Sequence, residues 1–128
     1  DFMMHYGELF LGKQMVLCKD TPAFIANRVG IYAMSKIFAL TMELDMTIED
    51  VDKLTGSAMG RPNSGTYRLG DMVGLDTAAK VNGGIYDNCP NDEQRDLFKV
   101  PEFLRVLEKN NWLGDKSGQG FYKKTKNI

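Results

Sequence analysis

Residues 21–44 read TPAFIANRVGIYAMSKIFALTMEL, and this stretch decides the fold. Its apolar residues, Phe24, Ile25, Val29, Ile31, Tyr32, Ile37, Phe38, Leu40, Met42 and Leu44, recur at helical rather than alternating spacing. Thr21-Pro22 is a helix-start signal, because the hydroxyl can accept from an orphan backbone N–H and proline in the first turn has none to leave unpaired. The predicted helix runs from about Pro22 to Leu44, roughly 33 Å long. Its apolar residues cover more than one stripe, so it is expected to lie centrally and to pack on several sides. The stretch has the length of a membrane span, but Asn27, Arg28, Ser35, Lys36 and Glu43 interrupt it. That points to a buried helix and excludes the membrane as a partner.

Toward the N-terminus, Met15-Val16-Leu17-Cys18 is an apolar run of strand length between Lys13 and Lys19-Asp20. Before it, Phe2, Met3, Tyr6, Leu9 and Phe10 keep helical spacing, and Gly12 supplies a helix end. A helix and a lone strand ahead of a long helix are what remains of an α/β sheet domain severed before its final strand. The chain also opens inside an amphipathic pattern without an initiator Met. Residues 1–20 are therefore expected to be the remnant of an upstream sheet domain, residues 21–123 a helical domain, and residues 124–128 a tail.

Toward the C-terminus, Thr47-Ile48-Glu49-Asp50 has capping-box spacing and predicts a helix through Val51 and Leu54 to Gly56. Three glycines and a proline within residues 56–65 mark a loop. Short helices are predicted over Thr66–Val73 and Asp76–Tyr86, separated by Gly74. Asn91 can cap a turn through Leu97, and Val100-Pro101 opens a helix carrying Phe103, Leu104 and Leu107 that Asn110-Asn111 ends. Gly118-Gln119-Gly120-Phe121-Tyr122 reads as an extended segment pinned by two aromatics, followed by the solvated Lys123, Lys124 and Lys126. The expected fold class is all-α.

With 128 residues, 43% hydrophobic and 26% charged, the chain is long enough to bury a core of its own. Sixteen Lys and Arg against seventeen Asp and Glu leave a net charge of -1, which creates no positive field for nucleic acid. Cys18 and Cys89 show no paired spacing and read as reduced thiols of a cytoplasmic protein. No His/Cys/Asp cluster has ligand spacing, so no metal is expected.

Three segments carry a family resemblance. Cys18-Lys19-Asp20-Thr21-Pro22-Ala23-Phe24-Ile25-Ala26-Asn27-Arg28 resembles the junction of 3-hydroxyacyl-CoA dehydrogenases, where the last strand of the Rossmann half enters the first long helix of the C-terminal half. Asp71-Met72-Val73-Gly74-Leu75-Asp76 and Lys116-Ser117-Gly118-Gln119-Gly120-Phe121-Tyr122 resemble two further segments of that half, in the same order. The resemblance implies the all-α fold shared with the C-terminal domain of 6-phosphogluconate dehydrogenase. It also implies a 3-hydroxyacyl-CoA substrate, NAD held mainly by an upstream Rossmann domain, and homodimers formed through the C-terminal halves. The loop Met59-Gly60-Arg61-Pro62-Asn63-Ser64-Gly65 departs from the commoner family pattern, which has a second Pro near Ser64-Gly65. It is similar to the variant in large multifunctional bacterial fatty-acid oxidation proteins.

Asn27 is the first candidate site residue. Read from residue chemistry alone, an amide near the start of an apolar helix is expected to bond a neighbouring turn. The resemblance reverses that reading, since the matching Asn of the family faces the substrate cleft and orients the acyl oxygen near the catalytic His. Lys116 alone is an ordinary surface charge; the resemblance implies that it reaches the bound dinucleotide. Gly118 and Gly120 lack the third glycine and following helix of a dinucleotide loop. For Arg28 the expected role is a salt bridge inside the domain.

His5 is the only histidine. It reads as a surface pair with Glu8, while the family's catalytic His and Glu belong to the upstream half. The competing expectations are a helical dimerisation module without ligand and a domain acting on a different 3-hydroxy acid.

Overall fold

In the computed structural model, which describes residues 1–125, the long helix begins at Ala26 rather than Pro22. Residues 22–25 form a turn in which Ala23 (φ 62°) and Phe24 (φ 48°) adopt the left-handed conformation, and the Phe24 N–H donates to the Thr21 carbonyl at 3.0 Å. Left-handed backbone costs a residue with a Cβ roughly 1–2 kcal/mol, so no helix can run through this point. The Thr21-Pro22 signal is therefore spent on a turn, and α2 (Ala26–Glu43) starts from Ile25 without a side-chain cap.

The predicted strand does not form. Residues 12–19 carry no regular structure, and Val16 and Leu17 are exposed. Strand backbone needs a neighbour to pair its N–H and C=O groups. Among the described residues there is no such ladder, only two isolated bridges at Gly114–Gln119 and Gln119–Lys123. The first helix, α1 (Phe2–Leu9), forms where periodicity predicts, yet Phe2, Leu9 and Phe10 face solvent.

Apart from Gly7, every buried residue among the described ones lies between Ser35 and Gly120. The core joins Phe38 of α2, Val51 of α3 (Ile48–Thr55), Tyr67 of α4 (Tyr67–Val73), Leu75 of α5 (Leu75–Asn88) and Leu104 of α6 (Glu102–Lys109). Phe121 lies edge-on to Tyr67 with ring centres 4.8 Å apart, and Phe103 edge-on to Phe38 at 5.4 Å. Aromatic quadrupoles favour this geometry. The expectation that the long helix packs on several sides is corrected here: α2 buries only Ser35, Phe38 and Thr41, a single stripe at three-residue spacing. Val29 and Met42 on its other faces are more than half exposed.

Local signals succeed where their partners are close in sequence. Thr47 Oγ1 accepts from the Asp50 N–H at 3.2 Å and donates to the Asp50 carboxylate at 2.8 Å, starting α3 as predicted. Asn111 (φ 57°) follows the end of α6 as expected. Asn91 does not cap the next turn; Asp92 does, its Oδ1 accepting from the Gln94 N–H at 2.9 Å ahead of the 3-10 turn Arg95–Phe98. The tail prediction falls partly outside the described residues: Lys123 and Lys124 are exposed, and Lys126 lies beyond them.

Two carboxylates bind distant segments together. Asp52 Oδ1 accepts from the backbone N–H of Thr66 (2.7 Å) and Tyr67 (2.6 Å), and its Oδ2 from Arg68 N–H (2.9 Å) and the Tyr122 hydroxyl (2.8 Å). An anion on the orphan donors of α4 suits the positive end of the helix dipole. Burial first, and then the bond to Asp52, push the Tyr122 phenol well above its ordinary pKa, so it stays a donor. Asp71, only 2% exposed, accepts from the N–H groups of Phe121 and Tyr122, both at 2.9 Å. Gly114 (φ 99°) and Gly120 pass so close that a Cβ on the first would overlap the Asp71 backbone and on the second its carboxylate.

Candidate functional site

A cavity of about 360 Å³ opens between α2, α4 and α5. Gly30, Ile31 and Met34 line it from α2, Leu69 and Val73 from α4, Ala78 and Val81 from α5, so its walls are apolar. Three side chains in the lining can recognise polar atoms of a ligand, Asn27, Arg61 and the exposed Thr77. Thr66 also lines it, but its hydroxyl shares a hydrogen bond of 2.9 Å with Thr55.

Asn27 sits in the first turn of α2, exposed, and among the described residues its carboxamide has no hydrogen-bond partner. The next residue faces elsewhere. Arg28 is ion-paired with Asp92 across the loop after α5, as an internal salt bridge. The Asp92 carboxyl is held below its ordinary pKa by the Gln94 backbone N–H and then by this guanidinium. Asn27 and Arg28 thus point to different sides of the turn, one to the cavity and one to a domain contact.

Lys116 is outside the cavity lining. Its Nζ meets Asp76 Oδ1 at 2.6 Å, in the first turn of α5, and holds the Asp76 carboxyl below its ordinary pKa. The Gly118-Gln119-Gly120 segment builds no phosphate cradle. No helix of four or more residues follows it among the described residues, and the Gly120 α-carbon lies against an anionic carboxylate. His5 is exposed on α1, and among the described residues it forms no ion pair with Glu8.

Arg61 is the site residue that the sequence did not reveal. The signal was present only as an irregularity, a loop whose composition departs from the commoner pattern. Gly60 (φ 70°) and the Arg61 N–H bond to the Gly56 carbonyl, 3.1 Å, turn the chain so that Arg61 reaches the cavity. Cys18 is exposed and Cys89 partly buried, and both thiols are free. Among the described residues no three His, Cys, Asp or Glu side chains converge as metal ligands, and no helix is long and apolar enough to cross a membrane.

The helical domain thus carries an apolar cavity beside the start of its longest helix, with Asn27, Arg61 and Thr77 as the polar side chains open to a ligand. The chain belongs to the 3-hydroxyacyl-CoA dehydrogenase C-terminal domain family, whose model matches residues 24–124. It is 44% identical over 123 residues to a "Probable 3-hydroxyacyl-CoA dehydrogenase" of Bacillus subtilis, and 40% identical over 121 residues to a protein of the same description from Deinococcus radiodurans. These alignments cover 96% and 94% of this chain but 16% and 34% of the relatives. Among solved structures, (S)-3-hydroxybutyryl-CoA dehydrogenase PaaH1 from Ralstonia eutropha superposes with a TM-score of 0.79 at 26% identity, over 98% of this chain and 44% of that one. FadB2 of M. tuberculosis gives 0.80 at 29% identity, over 96% and 41%. The all-α expectation thus agrees with the helices observed and with the family.

Proposed function

We propose that this chain forms the substrate-side wall of an NAD-dependent (S)-3-hydroxyacyl-CoA dehydrogenase, with residues 21–123 as the working domain and residues 1–20 belonging to an upstream nucleotide-binding half. The observation that carries the reading is Asn27, an unpartnered carboxamide on the rim of an apolar cavity. An amide can donate to one oxygen and accept from another, which suits the C3 hydroxyl and thioester carbonyl of a 3-hydroxyacyl thioester. The apolar walls suit the acyl chain beyond them.

NAD+ bound in the complete enzyme would supply the acceptor for the hydride leaving C3. The described residues do not fit a complete dinucleotide site, since they offer neither a parallel sheet nor a glycine-rich helix start, so the upstream half is assigned most of that binding and the base that takes the hydroxyl proton. Lys116 is the cation here that can contribute, and it must share its charge with Asp76 to do so. This chain's part is to hold the substrate and, by closing against the upstream half, to exclude water.

The exposed Leu40 and Met42 of α2, with Leu44 just after it, favour a second task, pairing with another copy as a homodimer. A pure dimerisation module leaves the cavity and its polar groups without a purpose. The unpaired cysteines suit the cytoplasm.

Asn27→Ala in the complete enzyme is expected to lower kcat/KM by about 10- to 100-fold, the worth of one or two hydrogen bonds in a water-excluded site, with helicity and Tm unchanged. Full activity with intact helicity removes Asn27 from the site and leaves the dimerisation reading.

A further inference from the structure

We propose that Arg61 binds an oxyanion carried by the acyl-CoA substrate, either a carboxylate at the far end of the acyl chain or a phosphate of CoA. The proposal rests on the dehydrogenase reading above and extends it to the charge of the substrate.

Arg61 is the one charged residue in the lining of the cavity. It is partly buried, and among the described residues its guanidinium has no hydrogen bond and no carboxylate within ion-pair distance. Its fellow arginines are all engaged: Arg28 with Asp92, Arg68 in a two-bond fork with Asp115 at 2.8 and 2.9 Å, Arg95 with the Tyr86 carbonyl at 2.8 Å, and Arg105 near Glu102. An arginine without a counter-ion in the lining of an apolar cavity has its donors free for a ligand, and their planar fork matches the two oxygens of a carboxylate or phosphate.

The chain also holds Arg61 in place. Gly60 supplies a left-handed turn before it and Pro62 stiffens the backbone after it, while the Arg61 N–H is tied to Gly56. Asn27 and Arg61 then divide their work by charge. The Asn27 amide suits neutral oxygen, and the Arg61 guanidinium suits an anion.

In the complete dehydrogenase, Arg61→Gln and Arg61→Lys are compared with the parent on three substrates. Two are 3-hydroxyacyl-CoA thioesters of equal chain length, one ending in methyl and the other in carboxylate; the third is the pantetheine thioester of the methyl-ended acid. A loss of about 10- to 100-fold in kcat/KM confined to the carboxylate-ended substrate, partly rescued in Arg61→Lys, assigns the acyl tail. An equal loss on both CoA thioesters that vanishes with the pantetheine thioester assigns a CoA phosphate, and calorimetric binding of free CoA then weakens in parallel. Unchanged kcat/KM on all three overturns the proposal. So does an equal loss on all three, which marks Arg61 as a contact between the two halves. A parent that transfers no hydride to NAD+ from any of the three sinks the dehydrogenase reading itself.

Discussion

Supplied alone with NAD+ and 3-hydroxybutyryl-CoA, this chain is expected to form no NADH, and turnover is expected to appear once the upstream nucleotide-binding half is joined to it or added separately. Oxidising an alcohol at neutral pH requires a base within about 2.6–3.2 Å of the hydroxyl proton. The sole histidine, His5, lies exposed on α1, and the residues lining the cavity include no titratable base. Loss of the base removes roughly 10²- to 10⁴-fold of rate, and loss of the partner that orients the nicotinamide against C3 removes far more. The effect is therefore all or none in an ordinary assay. Detectable NADH from the chain by itself, in a preparation free of other dehydrogenases, would place the base here and defeat the division of labour proposed.

Replacing Asp71 with alanine is expected to cost about 3 kcal/mol of stability, corresponding to a fall in Tm of roughly 10 °C for a domain of this size. The side chain is 2% exposed and its two oxygens satisfy two backbone N–H groups, those of Phe121 and Tyr122. Truncation leaves both donors unpaired beside an empty space, which costs more than the bonds themselves contribute. Asp71→Asn keeps one acceptor oxygen and should recover part of the loss. Denaturant unfolding followed by circular dichroism measures both variants. A change under 1 kcal/mol for Asp71→Ala would mean that the Phe121 ring against Tyr67, and not the carboxylate, secures the C-terminal segment.

What was legible in the sequence follows from how far each residue reaches. Thr47 and Asp50 are three apart and their capping geometry is the one the spacing predicts. Asn110-Asn111 and Gly74 act within one turn of themselves and mark real helix ends. Pro22 is compatible with both a helix start and a turn, and only the left-handed pair Ala23-Phe24, which no propensity favours, decides for the turn. Met15–Cys18 has the composition of a strand, but composition cannot provide the neighbour that a strand needs. The roles of Asp52 and Asp71 were not legible, because their partners lie 14 to 16, 50, 51 and 70 residues away.

The candidate site divides in the same way. Asn27 was found by resemblance and lies at the cavity, while Lys116, found by the same means, lies outside the lining in a pair with Asp76. Arg61 escaped notice because an isolated arginine in a glycine-rich loop looks solvated until the cavity beside it is seen.

Asp52 makes the end of the chain and the entrance to the cavity mechanically continuous. The carboxylate that receives the Tyr122 hydroxyl also receives the amide of Thr66, and Thr66 is part of the cavity lining. Loosening at Tyr122 would therefore disturb the first turn of α4 and reshape the pocket, so a tag or fusion partner joined too tightly after Tyr122 would be read out as altered ligand affinity.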